Sequence, residues 1–504
     1  MNDVIIVGGG PVGLMLALEL SLAGVEPLVL ERGAEIDPTI KAGSLNGRAA
    51  DALRRRGVEF GLGAFGPGGA TVGRRQPGAS SPASAPGTPA ASVAPAVGQG
   101  AQAPRPPRFV GHVAGMIIPA DLVKWNELEH STSSAMISQQ QVQQLLEERL
   151  AERGVQVRRG IQVTDVVSGD DRVRVVTDAG EFEGSWVVGT DGGRSIVRKS
   201  AGFGFDGLDG IMTGHQMLVQ GEGFDDIPVG WNITPTGVFR RMPNNLMLTA
   251  EFDGAPADRS AVITADDLTG AIRRVTGVDA TVTNVISATR FTDNTRVADH
   301  YRKGRVLLAG DAAHVHPPFG GQGLSLGLLD ATGLGWRLAG VVAGRLPVSV
   351  FDDYENERRP EAERILEWSR AQVGLMRTDE RSRAAGRLVA RLMNTPDGAT
   401  EVLRVVAGDL VTYASDDGPA GTFADDWAGT NADGGSLFDV AAEGHVVLAH
   451  LPEIDVPQLD GHAVRAFATD AAPAPLTLVR VDGVVAWAGD TADGLQEALA
   501  AIGA

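Results

Sequence analysis

The stretch Val4-Ile5-Ile6-Val7-Gly8-Gly9-Gly10-Pro11-Val12-Gly13 decides the fold, together with Glu31, which follows Gly13 by eighteen positions. Four consecutive apolar residues read as a buried strand, residues 11–23 carry apolar side chains at helical spacing, and 27–30 return to strand. Strand, glycine turn, helix and strand in this order form a βαβ unit, with a parallel sheet and a right-handed crossover. Gly8 permits the tight turn. Gly10 lets bare backbone approach a pyrophosphate resting on the positive helix N-terminus, where Pro11 and Val12 begin the helix, and Gly13 lets helix and sheet pack closely. Glu31 ends the second strand, where a carboxylate accepts hydrogen bonds from ribose hydroxyls. A tight turn without a ligand would explain the glycines but not the acid, so a dinucleotide is expected here.

Outward from this unit the chain continues as α/β. A second helix is expected over about 45–56. From 66 to 107 the composition falls to mainly Gly, Ala, Pro and Ser, too little apolar surface to offset ordering entropy. A flexible insertion in a surface loop is expected there, with a flap over a substrate entrance as the functional alternative. Helical spacing returns at 141–153 and strands at 154–176, with a turn at Gly169-Asp170-Asp171. Trp186-Val187-Val188-Gly189 is a short buried strand, and 204–290 is mostly strand-like and predicts a separate sheet. A long charged helix is expected over 350–376. The last stretch, 435–504, has its own β and α pattern, as a small third domain would.

At 504 residues, 43% hydrophobic and 21% charged, the chain is globular and long enough for two or three domains. A net charge of −19 argues against nucleic acid or an anionic membrane as partner, because phosphate binding needs the opposite sign. The absence of cysteine excludes disulfides, thiolate metal sites and a cysteine nucleophile, and fits a reducing compartment. The first apolar run is too short for a secretion signal, and none nears the roughly 18 to 20 residues that span a bilayer. A cytoplasmic protein is the expectation, with a homo-oligomer left open.

A second glycine-rich signature lies at Gly304-Arg305-Val306-Leu307-Leu308-Ala309-Gly310-Asp311. An aspartate closing a buried strand is costly unless hydrogen-bonded, and a polyol chain such as a ribityl would supply the partner. Pro317-Pro318-Phe319-Gly320-Gly321-Gln322-Gly323 then brings bare N–H groups to a helix start, a place for developing negative charge such as the N1/C2 carbonyl edge of a reduced flavin. His314 and His316 lie close by, but no further ligand stands at metal spacing, so they read as loop hydrogen-bonders and no metal is expected.

These motifs resemble the class A flavoprotein aromatic hydroxylases, the family of para-hydroxybenzoate hydroxylase, phenol hydroxylase and antibiotic-tailoring monooxygenases. The likeness rests on the first glycine turn with Glu31, on Gly189-Thr190-Asp191-Gly192-Gly193-Arg194-Ser195-Ile196-Val197-Arg198, and on the segment through Asp311, and covers roughly residues 1–400. It implies a Rossmann-like FAD-binding domain built from 1–175, 176–203 and 291–400, interleaved with a β-sheet substrate domain at 204–290. The tail, within 401–504, resembles the thioredoxin-like extension of larger members; lacking a redox cysteine pair, it reads as structural. By the same resemblance Glu31, followed by Arg32, holds the adenosine ribose, Asp311 holds the ribityl chain, and Asp191 with Gly192 serves both FAD and NADPH (or NADH). Gln139 matches a glutamine at the flavin side. Pro317 and Pro318 match prolines lining the hydroxylation site, and Gly321, Gly323, Leu324 and Ser325 match the backbone that meets the isoalloxazine. Ser325 stands in place of the usual asparagine, and Lys41 in place of an arginine at the pyrophosphate, keeping the charge but not the bidentate fork.

The implied reaction is hydroxylation of a phenolic or other aromatic small molecule by dioxygen through a flavin C4a-hydroperoxide, after reduction by NAD(P)H. No second G-x-G-x-x-G is read between a strand and a helix, so the nicotinamide is expected to bind transiently. His215 and Arg240 are candidates for touching the substrate, His215 as a base, and Trp231 and Phe239 for lining its pocket. The charged run around Tyr354, from 354 to 360, reads as a solvated helix face. The rivals are a halogenase, which should show a W-x-W-x-I-P segment absent here, a non-oxygenating reductase, and a non-catalytic flavin-binding protein.

Overall fold

The computed structural model describes residues 2–60, 110–128, 135–259, 261–413, 418–430, 435–454, 456–457 and 464–504. The expected insertion at 66–107 lies outside the described residues.

Val4, Ile5 and Ile6 are wholly buried because their strand, Asn2–Val7, is flanked on both sides. Pro27–Glu31 and Gly180–Gly189 pair with it in parallel, and Val157–Arg159 and Val306–Leu308 extend the parallel sheet outward. The second half of Gly180–Gly189 enters this sheet, while its first half leads into an antiparallel pair, Val173–Thr177 and Val163–Ser168. Helices Pro11–Leu22 and Gly323–Val342 lie against each other. A Cβ at Gly335 would come within 2.3 Å of Glu19 Cβ, and one at Gly327 within 2.7 Å of Val12, so glycine sets their separation.

The expected second sheet is present: five antiparallel strands in the order Gly230–Ile233, Gly237–Arg241, Leu246–Glu251, Thr213–Glu222, Thr281–Phe291. Successive side chains on a strand face opposite ways, so the register sorts its residues into rows. Phe239, Thr249, His215 and Arg290 are consecutive cross-strand partners on one face. That face packs Met217, Val219, Phe239 and Met247 onto Leu268 and Ile272 of helix Ala265–Thr276. Trp231, Arg240, Leu248, Gln216 and Thr289 form the adjacent row on the opposite face. This second face looks toward the parallel-sheet domain, to which Gln216 Nε2 is tied by a 3.0 Å bond to the Lys41 carbonyl.

Helix Val350–Met376 forms where expected, but the solvated face around Tyr354 does not. Tyr354 and Arg358 are fully buried. Tyr354 donates its hydroxyl to the Leu308 carbonyl at 3.0 Å, and Arg358 Nε donates to Asp330 Oδ1 at 2.9 Å, both groups excluded from water. A charge run looks solvated only until a partner from another helix, here Asp330 of Gly323–Val342, neutralises one member. Helix Pro396–Ala407 runs through position 400 and packs Ala399 and Leu403 against the 110–128 segment and Met376.

The C-terminal sheet runs Val464–Ala468, Val446–His450, Leu476–Val479, Val485–Gly489, with the first pair parallel and the others antiparallel, and Leu495–Ile502 is its closing helix. It is joined to the parallel-sheet domain by a seam of buried arginines. Arg56 holds Glu19 at 2.6 and 2.8 Å and reaches the Ala441 and Val481 carbonyls. Arg55 donates to the Asp482 carbonyl at 2.7 Å, and Arg480 bridges Glu357 and Asp482 at 2.7 Å each.

Removing one partner of a fully buried pair strands the other charge, at a cost of about 3–5 kcal/mol. Arg358→Met is therefore expected to lower stability by about that amount in chemical denaturation, and a loss below about 1 kcal/mol would show that Gly310 N and His314 alone compensate the Asp330 charge.

Candidate active site

The three motifs converge because the strands preceding them are neighbours. Val7, Gly189 and Leu308 end adjacent parallel strands, with Val7 and Leu308 each in register with Gly189. Ligands of open α/β sheets bind outside such carboxyl ends.

Gly8 adopts φ +113°, and a Cβ there would lie 2.4 Å from the Thr190 carbonyl. A Cβ at Gly13 would lie 2.0 Å from the Gly8 carbonyl, whereas one at Gly10 meets nothing within 4 Å. Gly8 and Gly13 thus shape the turn, and Gly10 leaves the open cradle a pyrophosphate needs. Pro11 occupies the first helical position, and Val12 packs 3.0 Å from where a Cβ at Gly310 would lie. Glu31 clamps the loop, its two oxygens accepting from Gly9 N and Gly33 N at 2.7 Å each. A carboxylate oxygen that accepts one bond keeps a lone pair for a ribose hydroxyl. Sequence reasoning missed Gln143, whose buried amide donates to the Gly9 carbonyl at 3.0 Å. A glutamine inside a helix carries no sequence signal for this role.

Asp191 Oδ2 accepts from Ile196 N at 2.7 Å and Val197 N at 3.3 Å, while Oδ1 is buried and unpaired. Burial pushes its pKa up. Gly192 beside it is left-handed at φ +80°. Arg198 laces this motif to the next one, donating to the Gly193 carbonyl at 2.9 Å and to the Ala312 carbonyl at 2.8 Å.

Asp311 departs from expectation: it is exposed, so no desolvation cost attaches to it. The buried acid is Asp330, which accepts from Gly310 N at 2.9 Å and His314 Nε2 at 2.7 Å as well as from Arg358. Asp330 holds the turn, leaving the Asp311 carboxylate facing outward. His316 points elsewhere, its Nδ1 at 2.9 Å from the Pro317 carbonyl, so the two histidines do not converge.

Past His316 the loop turns through Gly320 (φ +89°) and Gly321 (φ +68°) into the helix beginning at Gly323. The first N–H groups of a helix, here those of Gly323, Leu324 and Ser325, lack helical acceptors and carry partial positive charge. Ser325 is fully buried, and its hydroxyl accepts from Asn46 N at 3.1 Å. Serine at this position thus ties the neighbouring helix start to the loop. Pro317 is buried and Pro318 exposed. Gln372, also fully buried, donates to the Phe319 carbonyl at 3.3 Å and accepts from Ala114 N at 3.0 Å. Arg32 is exposed, and the Lys41 ammonium pairs with Asp37 at 2.9 Å. Gln139 starts its helix with its N–H on the Ala42 carbonyl, while the adjacent Gln140 side chain holds the 38 and 39 carbonyls.

The two substrate candidates separate. Arg240 lies on the face that looks toward the loop, with Trp231 across from it. His215 does not: it lies on the helix side of the sheet, where Arg290 Nε approaches its Nε2 at 3.3 Å, and burial with that cation takes its pKa down to about 4. Phe239 shares that side and is core. Strand alternation put the two candidates on opposite faces.

Residues 1–369 match the family described as FAD binding domain. The chain belongs to that family. It is a flavin-dependent oxidoreductase that binds FAD. Among relatives, it is 33% identical to rifampicin monooxygenase of Streptomyces venezuelae, over 97% of this chain and 96% of that one. It is likewise 33% identical to dialkyldecalin synthase of Streptomyces rugosporus, over 99% and 98%. The solved structure of anhydrotetracycline hydroxylase from Streptomyces rimosus superposes with a TM-score of 0.81 at 30% identity, covering 99% of each chain. No described helix is long and apolar enough to cross a membrane.

The glycines predict two different failures. Gly13→Ala collides with backbone and should destabilise the protein with or without FAD. Gly10→Ala should leave the melting temperature of the apoprotein unchanged while abolishing retention of FAD, read from flavin absorbance after gel filtration. Unaltered FAD retention in Gly10→Ala would remove the cradle assignment.

His112 and His215 are each held down to about 4, by burial first and then by Arg240 and Arg290 respectively. Unfolded histidine titrates near its ordinary value of 6.5, so the unfolded chain binds protons the folded one refuses. Stability is accordingly full above that value and declines as pH falls from it toward about 4. Thermal melts across this range should show the decline, and a His112→Asn, His215→Asn double variant should flatten it.

Proposed function

We propose that the protein hydroxylates an aromatic or phenolic small molecule, using FAD, NAD(P)H and dioxygen. The observation that carries this reading is the position of the 317–325 loop between the three converging motifs and the Arg240 face of the five-stranded sheet. On the sheet side Phe319 meets Phe291 edge-on, ring centroids 6.0 Å apart, within an apolar layer that includes Met212, Val238 and Leu248. A flavin whose dinucleotide end lies on the Gly10 cradle would then present its ring to this layer.

Bound FAD would supply hydride acceptance and dioxygen activation, the hard chemistry of such an enzyme. The chain's own contribution is positional and electrostatic. The N–H groups at 323–325 would favour negative charge on the adjacent ring edge. Phe291, Phe319 and Met212 would exclude water and hold an aromatic ring flat. Asp191, with one carboxylate oxygen unpaired, would serve the dinucleotide side, and the nicotinamide would dock transiently. The C-terminal sheet, a parallel pair continued by an antiparallel hairpin and a helix, supports a thioredoxin-like extension with a structural role. We place the protein in the cytoplasm.

The dialkyldecalin synthase relative supports a second reading, in which the same flavin scaffold serves a non-oxygenating reaction. The two separate in one assay: NADPH consumption by the FAD-loaded protein, alone and with a panel of phenolic and quinonoid polycycles, with product masses recorded. Consumption stimulated by one compound, with a product heavier by one oxygen atom, is the expected outcome. A product of unchanged mass formed without NADPH would favour the synthase-like reading.

A further inference from the structure

The Arg240 face of the sheet carries a polar cluster that the proposed reaction does not use. Trp231 and Arg240 are direct cross-strand partners there, with the guanidinium 6.0 Å from the indole centroid. His112, on the hairpin formed by His112–Val113 and Met116–Ile117, packs its ring against the same indole, centroids 4.3 Å apart. The hairpin is joined to the flavin loop through Gln372, which bonds both Ala114 and Phe319. The cluster therefore lies one residue layer from the site where the ring chemistry would occur.

Its hydrogen bonding is incomplete. Trp231 Nε1 and His112 Nδ1 are both shut off from water and have no partner. Arg240 is half-buried, and the only hydrogen-bond acceptor within its reach is the Met242 sulfur at 3.2 Å; no carboxylate pairs with it among the described residues. Native proteins rarely leave buried donors unmade, and a guanidinium drawn out of water without a counter-ion is costlier still. Burial already weighs against the charged form of Arg240, and burial with that cation keeps His112 neutral. The groups on offer are thus one cation, one indole donor and one neutral imidazole. Together they complement an anionic oxygen on a flat apolar body: the guanidinium neutralises it, the indole N–H donates to it, and the surrounding ring faces cover the body.

We propose that Arg240, Trp231 and His112 form a recognition site for an ionised, conjugated oxygen of the substrate, as in an enolised dicarbonyl or an acidic phenol, remote from the carbon that reacts. The site rests on the reading of this face as the substrate wall. It defines the substrate class as an acidic polycyclic enol or phenol, bound as its anion, and it makes Arg240 a specificity-determining residue and not a base. All three side chains are half-buried, and the sealed indole and imidazole atoms gain partners as the ligand seats.

The test is equilibrium binding to the oxidised, FAD-loaded enzyme, read by flavin fluorescence, with 2-hydroxy-1,4-naphthoquinone and its methyl ether, 2-methoxy-1,4-naphthoquinone, as matched probes. The anion should bind at least about tenfold more tightly than the ether. Arg240→Gln should erase that preference, Arg240→Lys should keep part of it, and Trp231→Phe should weaken the anion alone, with FAD content and melting temperature as controls in each. Equal affinity for the two probes, failure of the anion to bind, or a preference that survives Arg240→Gln would each overturn the proposal. Binding is measured without turnover, so loss of NADPH-dependent oxygenation with the anion preference intact would count against the hydroxylase reading alone.

Discussion

Everything at the flavin side depends on one carboxylate that never meets water. Asp330 sits in the middle of an apolar helix and is held by Gly310, His314 and Arg358. Through Gly310 and His314 it fixes the turn that follows Val306–Leu308. Through Arg358, which also reaches the Leu326 carbonyl at 3.1 Å and the Tyr413 hydroxyl at 2.6 Å, it fixes the long helix and the start of the C-terminal segment. A buried ion pair of this kind contributes little net stability over an apolar replacement. Its value here is geometric: three donors, from the turn and from the long helix, share one acceptor, so neither can shift without stranding a charge.

The cofactor half of the site was largely legible because its constraints are local. A glycine at a left-handed turn, a glycine where backbone crosses backbone, and an acid at a strand end each leave a signature within a few residues of the feature they serve. Gly8, Gly13 and Glu31 all behave as that logic requires. Asp311 shows where local logic stops. An aspartate after a buried strand looked buried, yet the acid that is buried is Asp330, inside Gly-Leu-Leu-Asp-Ala-Thr-Gly-Leu. The single acid in a helix whose other charge is Arg337 was the available clue, but its partners come from other elements and nothing local names them.

The substrate half was legible only as a sheet. Whether His215 or Arg240 faces the pocket depends on strand register, and a shift of one residue exchanges the two faces. No pattern in the strands settles it, since both faces are covered: one by the helix Ala265–Thr276, the other by the apolar layer beneath the flavin loop. The same holds for the run around Tyr354, where helical periodicity alone does not reveal that Arg358 meets a carboxylate from another helix.

The arginine seam under the C-terminal sheet changes what a minimal version of this enzyme can be. Each flavin-binding motif ends well before the last hundred residues, and a chain cut near position 413 would keep all of them. It would also remove the carbonyls that Arg55 and Arg56 reach and one of the two guanidinium groups that pair with Glu357, the other being Arg337. What looks like an appendage carrying no redox chemistry supplies the acceptors for buried arginines on the cofactor domain's underside, so cutting it away would strand donors inside that domain.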